Sequence, residues 1–309
     1  MSSKRQKFQL SVIKKIFFIY LTMIILDEPL ASITSVGIGG KCNKIYMPES
    51  EEELVSLLSS LEANGEEFKV IGNGTNLLFS DNFHPFSVIS TRKIAKKMSK
   101  RGNFVTFSAS ASLFECYNFA LKHSLSGFEK LAHIPGNIGG AIATGASCYG
   151  ASIFDKLEKV TVYHNGKVKS LSKNNIEKGY HSSFFLQNDL KHPYVILSAK
   201  FLLDNCFQCK ISQAYFDIAS KRSLSQGQGK SYGCTFKNAN GQSAGMLIDK
   251  CGLKGLKHGN AQISEKHGNF IINIGNATFE DFEFLIEKIQ KSIKDNFNLD
   301  LVFDVEIVK

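Results

Sequence analysis

The stretch of this chain best suited to chemistry runs Ile71-Gly72-Asn73-Gly74-Thr75-Asn76-Leu77-Leu78-Phe79-Ser80-Asp81. It follows the short apolar run Phe68 to Ile71, so it reads as a strand and then a glycine-hinged loop, with the hydroxyls of Thr75 and Ser80 beside closely spaced amides. Glycine permits positive φ and close approach, so successive N–H groups can converge on phosphate oxygens. A tight turn with no ligand is the plainer reading of one such loop. A second, Ile134-Pro135-Gly136-Asn137-Ile138-Gly139-Gly140-Ala141, has the same character, and two glycine loops in one α/β chain suggest a pyrophosphate held from two sides. A third stretch, Ser231 to Asn238, sets the thiol of Cys234, the hydroxyl of Thr235 and the cation of Lys237 close together.

The elements that must position these groups follow from period and punctuation. Ser50-Glu51-Glu52-Glu53 reads as a capping box opening a helix that carries Leu54, Leu57, Leu58 and Leu61 on one face and stops at Asn64-Gly65. With the strand before the first loop this makes β-α-β. Strands are expected at 88–90, 104–109 and 194–203, and a helix at 113–123 with Phe114, Tyr117, Ala120 and Leu121 inward. Val160 to Val168 reads as a hairpin turning at Asn165-Gly166. Helices are expected at 211–223, 244–251 and 278–297, the last with Phe282, Leu285, Ile286 and Ile289 inward, and a buried strand at 269–273. In the closing strand, alternation puts Leu299, Leu301, Phe303 and Val305 on one face and Glu306 on the other.

Bulk properties narrow the class. A chain of 309 residues with 43% apolar and 21% charged residues is that of a globular protein of two or three lobes. The net charge of +9 comes from scattered Lys and Arg without a basic run, which argues against nucleic acid and for a small phosphorylated ligand. Seven cysteines make an odd set without a small-domain disulfide framework, favouring a reducing, cytoplasmic setting. Cys206 and Cys209 have CxxC spacing but no second pair, so they read as strand residues and no metal ligands are expected. Lys4, Arg5, Lys7, Lys14 and Lys15 precede the apolar run Ile16 to Leu26, which is shaped like a signal peptide yet reads as a basic helix and a buried strand. That run is too short to span a bilayer, so no stable membrane insertion is expected.

From about Pro29 to Ile307 the chain resembles the UDP-N-acetylenolpyruvoylglucosamine reductases of bacterial cell-wall synthesis. The blocks that carry the resemblance are Glu28 to Ala31, Gly39-Gly40, Gly72 to Asp81, Ile134 to Ala141, Gly233 to Asn238, Ala244 to Ile248, Gly252 to Gly255 and Ile263 to Phe270, in that order. The short spacing before Ser231 looks like the subclass without an extra substrate-covering segment. The resemblance implies an α+β fold: an N-terminal extension over 1–28, a two-lobed FAD-binding unit over 29–204 of the PCMH or vanillyl-alcohol-oxidase type rather than a Rossmann domain, and a substrate-binding C-terminal α/β lobe over 205–309. It implies FAD as cofactor, NADPH as co-substrate, and reduction of the enolpyruvyl ether of UDP-N-acetylglucosamine to UDP-N-acetylmuramate, by a monomer. For the flavin it implies Asn73, Gly74, Thr75, Asn76, Ser80 and Asp81 at one loop and Pro135, Gly136, Asn137, Ile138 and Gly140 at the other. Arg222, Gln226, Lys237 and Asn238 become candidates for the nucleotide or carboxylate. Cys234 matches the acid that protonates carbon, where many members carry serine, and Glu306 matches the glutamate of the closing strand.

The chain also departs from the pattern. The family's Tyr-Arg-x-Ser block is Tyr180-His181-Ser182-Ser183 here, so a histidine stands for the arginine that polarises the substrate carboxylate, without its bidentate fork. Gly145 stands where an asparagine is expected, Gly37 stands where a cation is usual before the first glycine pair, and no proline follows Gln226. The competing reading is therefore a flavin-binding homologue that has lost turnover and serves as a binding module, and a third is an oxidase of the same fold that uses oxygen.

Overall fold

The computed structural model describes residues 24–186, 189–227 and 229–309. The basic helix expected near the start lies outside these residues, as does most of the apolar run after it.

The first lobe is the β-α-β unit with additions. Strands β1 (Ile24–Leu26), β2 (Ile45–Met47), β3 (Phe68–Ile71) and β5 (Ser87–Ser90) form a sheet in the order β1-β2-β5-β3, parallel except for β1. Helix α1 (Glu51–Ala63) crosses between β2 and β3 and buries Leu54, Leu57, Leu58 and Leu61, the face its period dictates. Ser50 Oγ accepts from Glu53 N at 3.1 Å, but Glu53 Oε2 reaches back to Glu49 N rather than to the cap residue, so the box closes one residue early. Strand β4 (Leu77–Phe79) emerges from the first glycine loop and leaves this sheet.

The second lobe is a five-stranded antiparallel sheet. Strands β6 (Met98–Arg101), β7 (Phe104–Ser108), β8 (Leu157–His164), β9 (Lys167–Ser172) and β10 (Val195–Leu202) lie in the order β9-β8-β10-β7-β6. Asn165 and Gly166 both take positive φ at the β8-β9 turn, as a two-residue Asn-Gly hairpin requires. Helix α2 (Leu113–Lys122) opens on a complete Ser112–Glu115 capping box and packs Leu113, Cys116, Tyr117 and Ala120 inward. Phe114, expected inward, is 46% exposed, its ring instead near Tyr215. Helix α3 (Ile138–Thr144) follows the second glycine loop. Helix α4 (Gln208–Ser225) belongs with this lobe by packing: Ile211 joins its core and Tyr215 stacks on Tyr117 and His133. Cys209 lies in that helix, not in a strand.

The third lobe holds α5 (Ala244–Lys250), β11 (Ala261–Ile263), β12 (Ile271–Asn273) and α6 (Phe279–Phe297), whose apolar face carries Phe282, Leu285, Ile286, Ile289 and Ile293. Its core also takes Val36, Ile38 and Leu78 from the first lobe. Of the expected closing strand only β13 (Glu306–Val308) forms, and it pairs in parallel with β4. The end of the chain is thus laid beside the first glycine loop, with Glu306 N donating to Asn76 O at 3.1 Å.

Candidate active site

An open cleft lies where the three lobes meet. Its cavity volume is about 340 Å³, within the ~300–1,000 Å³ of a small-molecule site, and it opens widely to solvent.

One wall is the first glycine loop. Arg92 Nη2 donates to Ile33 O at 2.7 Å and to Asn73 O at 3.2 Å, and Ser35 N donates to Gly74 O at 2.9 Å. Two of the loop's carbonyls are therefore tied back to protein, while among the described residues none accepts from the amides of Asn73, Gly74, Thr75 or Asn76. Gly74 has φ +65, and a Cβ there would lie 2.3 Å from Ile33 O, so only glycine lets the loop fold in this way.

The second loop abuts the first: a Cβ on Gly72 would meet Asn137 Oδ1 at 2.5 Å. Its donors are largely consumed, although its composition suggests a second amide pocket for the pyrophosphate. Gly136 N bonds Ile134 O, Ile138 N bonds Ala111 O, Gly139 N bonds Ala109 O, and Gly140 N bonds Asn137 Oδ1. What remains is the amide of Asn137 and its buried Nδ2, which has no partner among the described residues. An unpartnered buried donor beside a run of four open amides fits an anionic ligand that completes them. Pyrophosphate oxygens supply acceptors in that number, so the cleft suits FAD, with the first loop as its main anchor.

Five expected residues lie outside the cleft lining. Ser80 is buried, its hydroxyl without a partner among the described residues, and its carbonyl accepts from Gly40 N and lies 3.1 Å from His84 Nε2. Asp81 caps α6 by accepting from Phe279 N at 2.7 Å. Ile138 points into the second lobe's core. Asn238 Oδ1 accepts from Ala244 N, at the start of α5. Lys237 also lies outside the lining and donates to Tyr180 O at 3.2 Å, bracing the His181 turn. Arg222 and Gln226, at the end of α4, do line the cleft.

The same cleft carries the reactive groups. Asn269 clamps the extended segment around Cys234: its carbonyl accepts from Thr235 N, its Oδ1 from Phe236 N, and its Nδ2 donates to Phe236 O. Asp304 N in turn donates to Thr235 O, which sets Asp304 alongside. Burial, then the charge of Asp304, pushes the Cys234 thiol up to about 12, against the opposing pull of Arg222 and a hydrogen bond from Asn269. The sulfur accordingly holds its proton at neutral pH.

Glu306 lines the cleft, but its carboxylate is bound to Lys69 Nζ at 2.5 Å. The carboxylate beside Cys234 is that of Asp304, a residue the sequence reading passed over. Its Oδ1 lies 2.9 Å from Nδ1 of His181, whose Nε2 lies 2.7 Å from Ser147 Oγ. His181 sits at φ 49 in the two-residue turn of the Gly179–Ser182 hairpin, and that hairpin rests on Gly145, where a Cβ would lie 2.9 Å from Ser182 N. On the other flank Arg222 Nη1 donates to Cys148 Sγ at 3.6 Å.

Comparison with known proteins decides the family. The reductase from Carboxydothermus hydrogenoformans, a UDP-N-acetylenolpyruvoylglucosamine reductase, is 37% identical over 287 residues, covering 92% of this chain and 94% of the relative. The chain belongs to the UDP-N-acetylenolpyruvoylglucosamine reductase family. The reductase of the same name from Fusobacterium nucleatum is 32% identical over 93% of this chain and 99% of its own length. The crystal structure of UDP-N-acetylenolpyruvylglucosamine reductase from Thermus caldophilus superposes with a TM-score of 0.78 at 30% identity, covering 93% of this chain and all of that one. Residues 224–308 match the family's C-terminal domain, and residues 43–172 match an FAD binding domain. The reductase family, the flavin-binding fold and FAD as cofactor stand as the sequence implied.

Proposed function

We propose that this chain reduces the enolpyruvyl ether of UDP-N-acetylglucosamine to UDP-N-acetylmuramate with electrons from NADPH, as a step in peptidoglycan precursor synthesis, acting as a cytoplasmic monomer. The observation that carries this is a half-buried, protonated thiol lining the same cleft as a row of open amides. FAD, when bound, would supply the hydride. The amides of residues 73–76 and of Asn137 would hold its pyrophosphate. Arg222 and Gln226, from α4, give the cleft a cation and an amide for the sugar nucleotide.

After hydride reaches the terminal carbon of the enolpyruvyl group, negative charge gathers on its carboxylate and the neighbouring carbon must take a proton. Cys234 holds that proton at working pH and, half-buried on the cleft lining, can give it up to a bound substrate. Lys69, paired with Glu306, fixes the latter on the cleft wall rather than leaving it free to move a proton. Among the described residues no helix is long and apolar enough to cross a bilayer.

Purified protein should be yellow and should consume NADPH only when the enolpyruvyl sugar nucleotide is present. A nicotinamide absorbance that stays flat with enzyme, flavin and that substrate sinks the reading. A second reading, a flavin-binding module with weak turnover, draws on His181, both of whose ring nitrogens are taken up inside the protein. Under it the reduced flavin outlasts substrate binding, and His181→Arg brings no gain.

A further inference from the structure

Three side chains in the cleft make a continuous line: Asp304 Oδ1 to His181 Nδ1 at 2.9 Å, and His181 Nε2 to Ser147 Oγ at 2.7 Å. All three line the cleft, and the His181–Asp304 pair is mostly buried. An ionised carboxylate only accepts, so the Nδ1 facing Asp304 carries hydrogen. The other ring nitrogen then either accepts from the Ser147 hydroxyl or, in the charged ring, donates to its oxygen. In neither form does His181 have an N–H left for a ligand. The hydroxyl of Ser147 does become available, because an oxygen that accepts from the ring is free to turn its own hydrogen into the cleft.

We infer that Ser147 is the donor this chain presents to the carboxylate of its sugar-nucleotide substrate, with His181 and Asp304 ranked behind it. Its place supports this: Ser147 precedes Cys148, which Arg222 contacts, and Cys234 feels the charges of both Asp304 and Arg222. The hydroxyl thus stands in the same cluster as the thiol assigned to protonate carbon. A donor backed by an imidazolium is charge-assisted and shorter than a neutral one, and it strengthens as the carboxylate gathers charge in the transition state. No bond to Ser147 forms or breaks in this role, and its proton stays on the oxygen. This inference rests on the reductase reading but assigns a residue that reading does not need.

The test compares two ligands that differ in the carboxylate. In S147A the dissociation constant for UDP-N-acetylmuramate, measured calorimetrically, is expected to rise about tenfold or more, the worth of one hydrogen bond to a charged group. That for UDP-N-acetylglucosamine, which lacks the lactyl carboxylate, should hold. Reoxidation of the reduced flavin by the enolpyruvyl substrate should slow about a hundredfold, the usual cost of one oxyanion donor, while reduction by NADPH keeps its rate. S147T, which retains a hydroxyl, should recover most of both losses. If S147A fails to retain FAD, S147C keeps the volume with a weak donor and carries the same comparison. Equal affinities for the carboxylate-bearing ligand in wild type and S147A, together with unchanged reoxidation, overturn the assignment. If wild-type protein binds both nucleotides yet never reoxidises its flavin, the reductase reading fails, while the affinity comparison still decides the role of Ser147.

Discussion

At Cys234, burial decides what the thiol can do. An exposed cysteine of pKa ~8.5 would lose its proton, and its use as an acid, in mildly alkaline solution. Here the folded-state value lies near 12, so the sulfur stays protonated well past that point. Two outcomes follow. Cys234→Ala should slow flavin reoxidation by substrate ~10²–10⁴-fold, as removal of a general acid does, and leave reduction by NADPH alone. Stopped-flow traces of the two half-reactions check this, and equal slowing of both removes Cys234 from the role. Second, the rate of alkylation by iodoacetamide at Cys234, followed by peptide mass spectrometry, should stay low from neutral pH to about pH 9, because the raised value keeps the reactive thiolate scarce. Rapid labelling at neutral pH contradicts the burial account.

Asp304 was within reach of the same alternation that picked out Glu306, since the two positions share a face. Nothing local in the sequence distinguishes one carboxylate of that face from the other. What separates them is Lys69 on β3, far away in sequence, which binds Glu306, and a turn holding His181 at positive φ, which meets Asp304.

Among the elements, legibility tracked local coding. Helices with their own caps and stripes, α1, α2 and α6, lie within a residue or two of where spacing puts them, because both signals reside in the helix itself. The strands Ile45–Met47, Leu77–Phe79 and Met98–Arg101 are three or four residues long and exist through partners elsewhere, so no window of sequence reveals them. The second glycine loop shows the same limit. Its composition promises open amides, but Ala109 and Ala111 reach across from the end of β7 and take them. The first loop therefore bears the prediction: Gly74→Ala must abandon φ +65 or press Cβ against Ile33 O, and should cost about 1–3 kcal/mol with loss of bound FAD. The ratio of flavin to protein absorbance after purification, with thermal unfolding alongside, tests it. An alanine variant with normal flavin content and melting temperature contradicts the tied-back loop.

Across the whole molecule, the last strand matters out of proportion to its length. Strand β13 pairs with β4, Val305 is buried in the third lobe's core, and Asp304 O accepts from Asn76 Nδ2 at 3.0 Å. The end of the chain thus closes the cleft that its beginning opens, and Cys234, Asp304 and the glycine loop keep their spacing only while that pairing holds. Ending the chain at Phe303 should lower stability by at least the ~1.5–3 kcal/mol of one buried valine and release FAD, read as a lower unfolding midpoint in urea. An unchanged midpoint argues that the lobes hold the cleft without it. The most direct test of the account is anaerobic: reduce the bound flavin with one equivalent of NADPH, then add the enolpyruvyl ether of UDP-N-acetylglucosamine. The account predicts return of the oxidised flavin spectrum with stoichiometric UDP-N-acetylmuramate, and a flavin that stays reduced in the presence of bound substrate contradicts it.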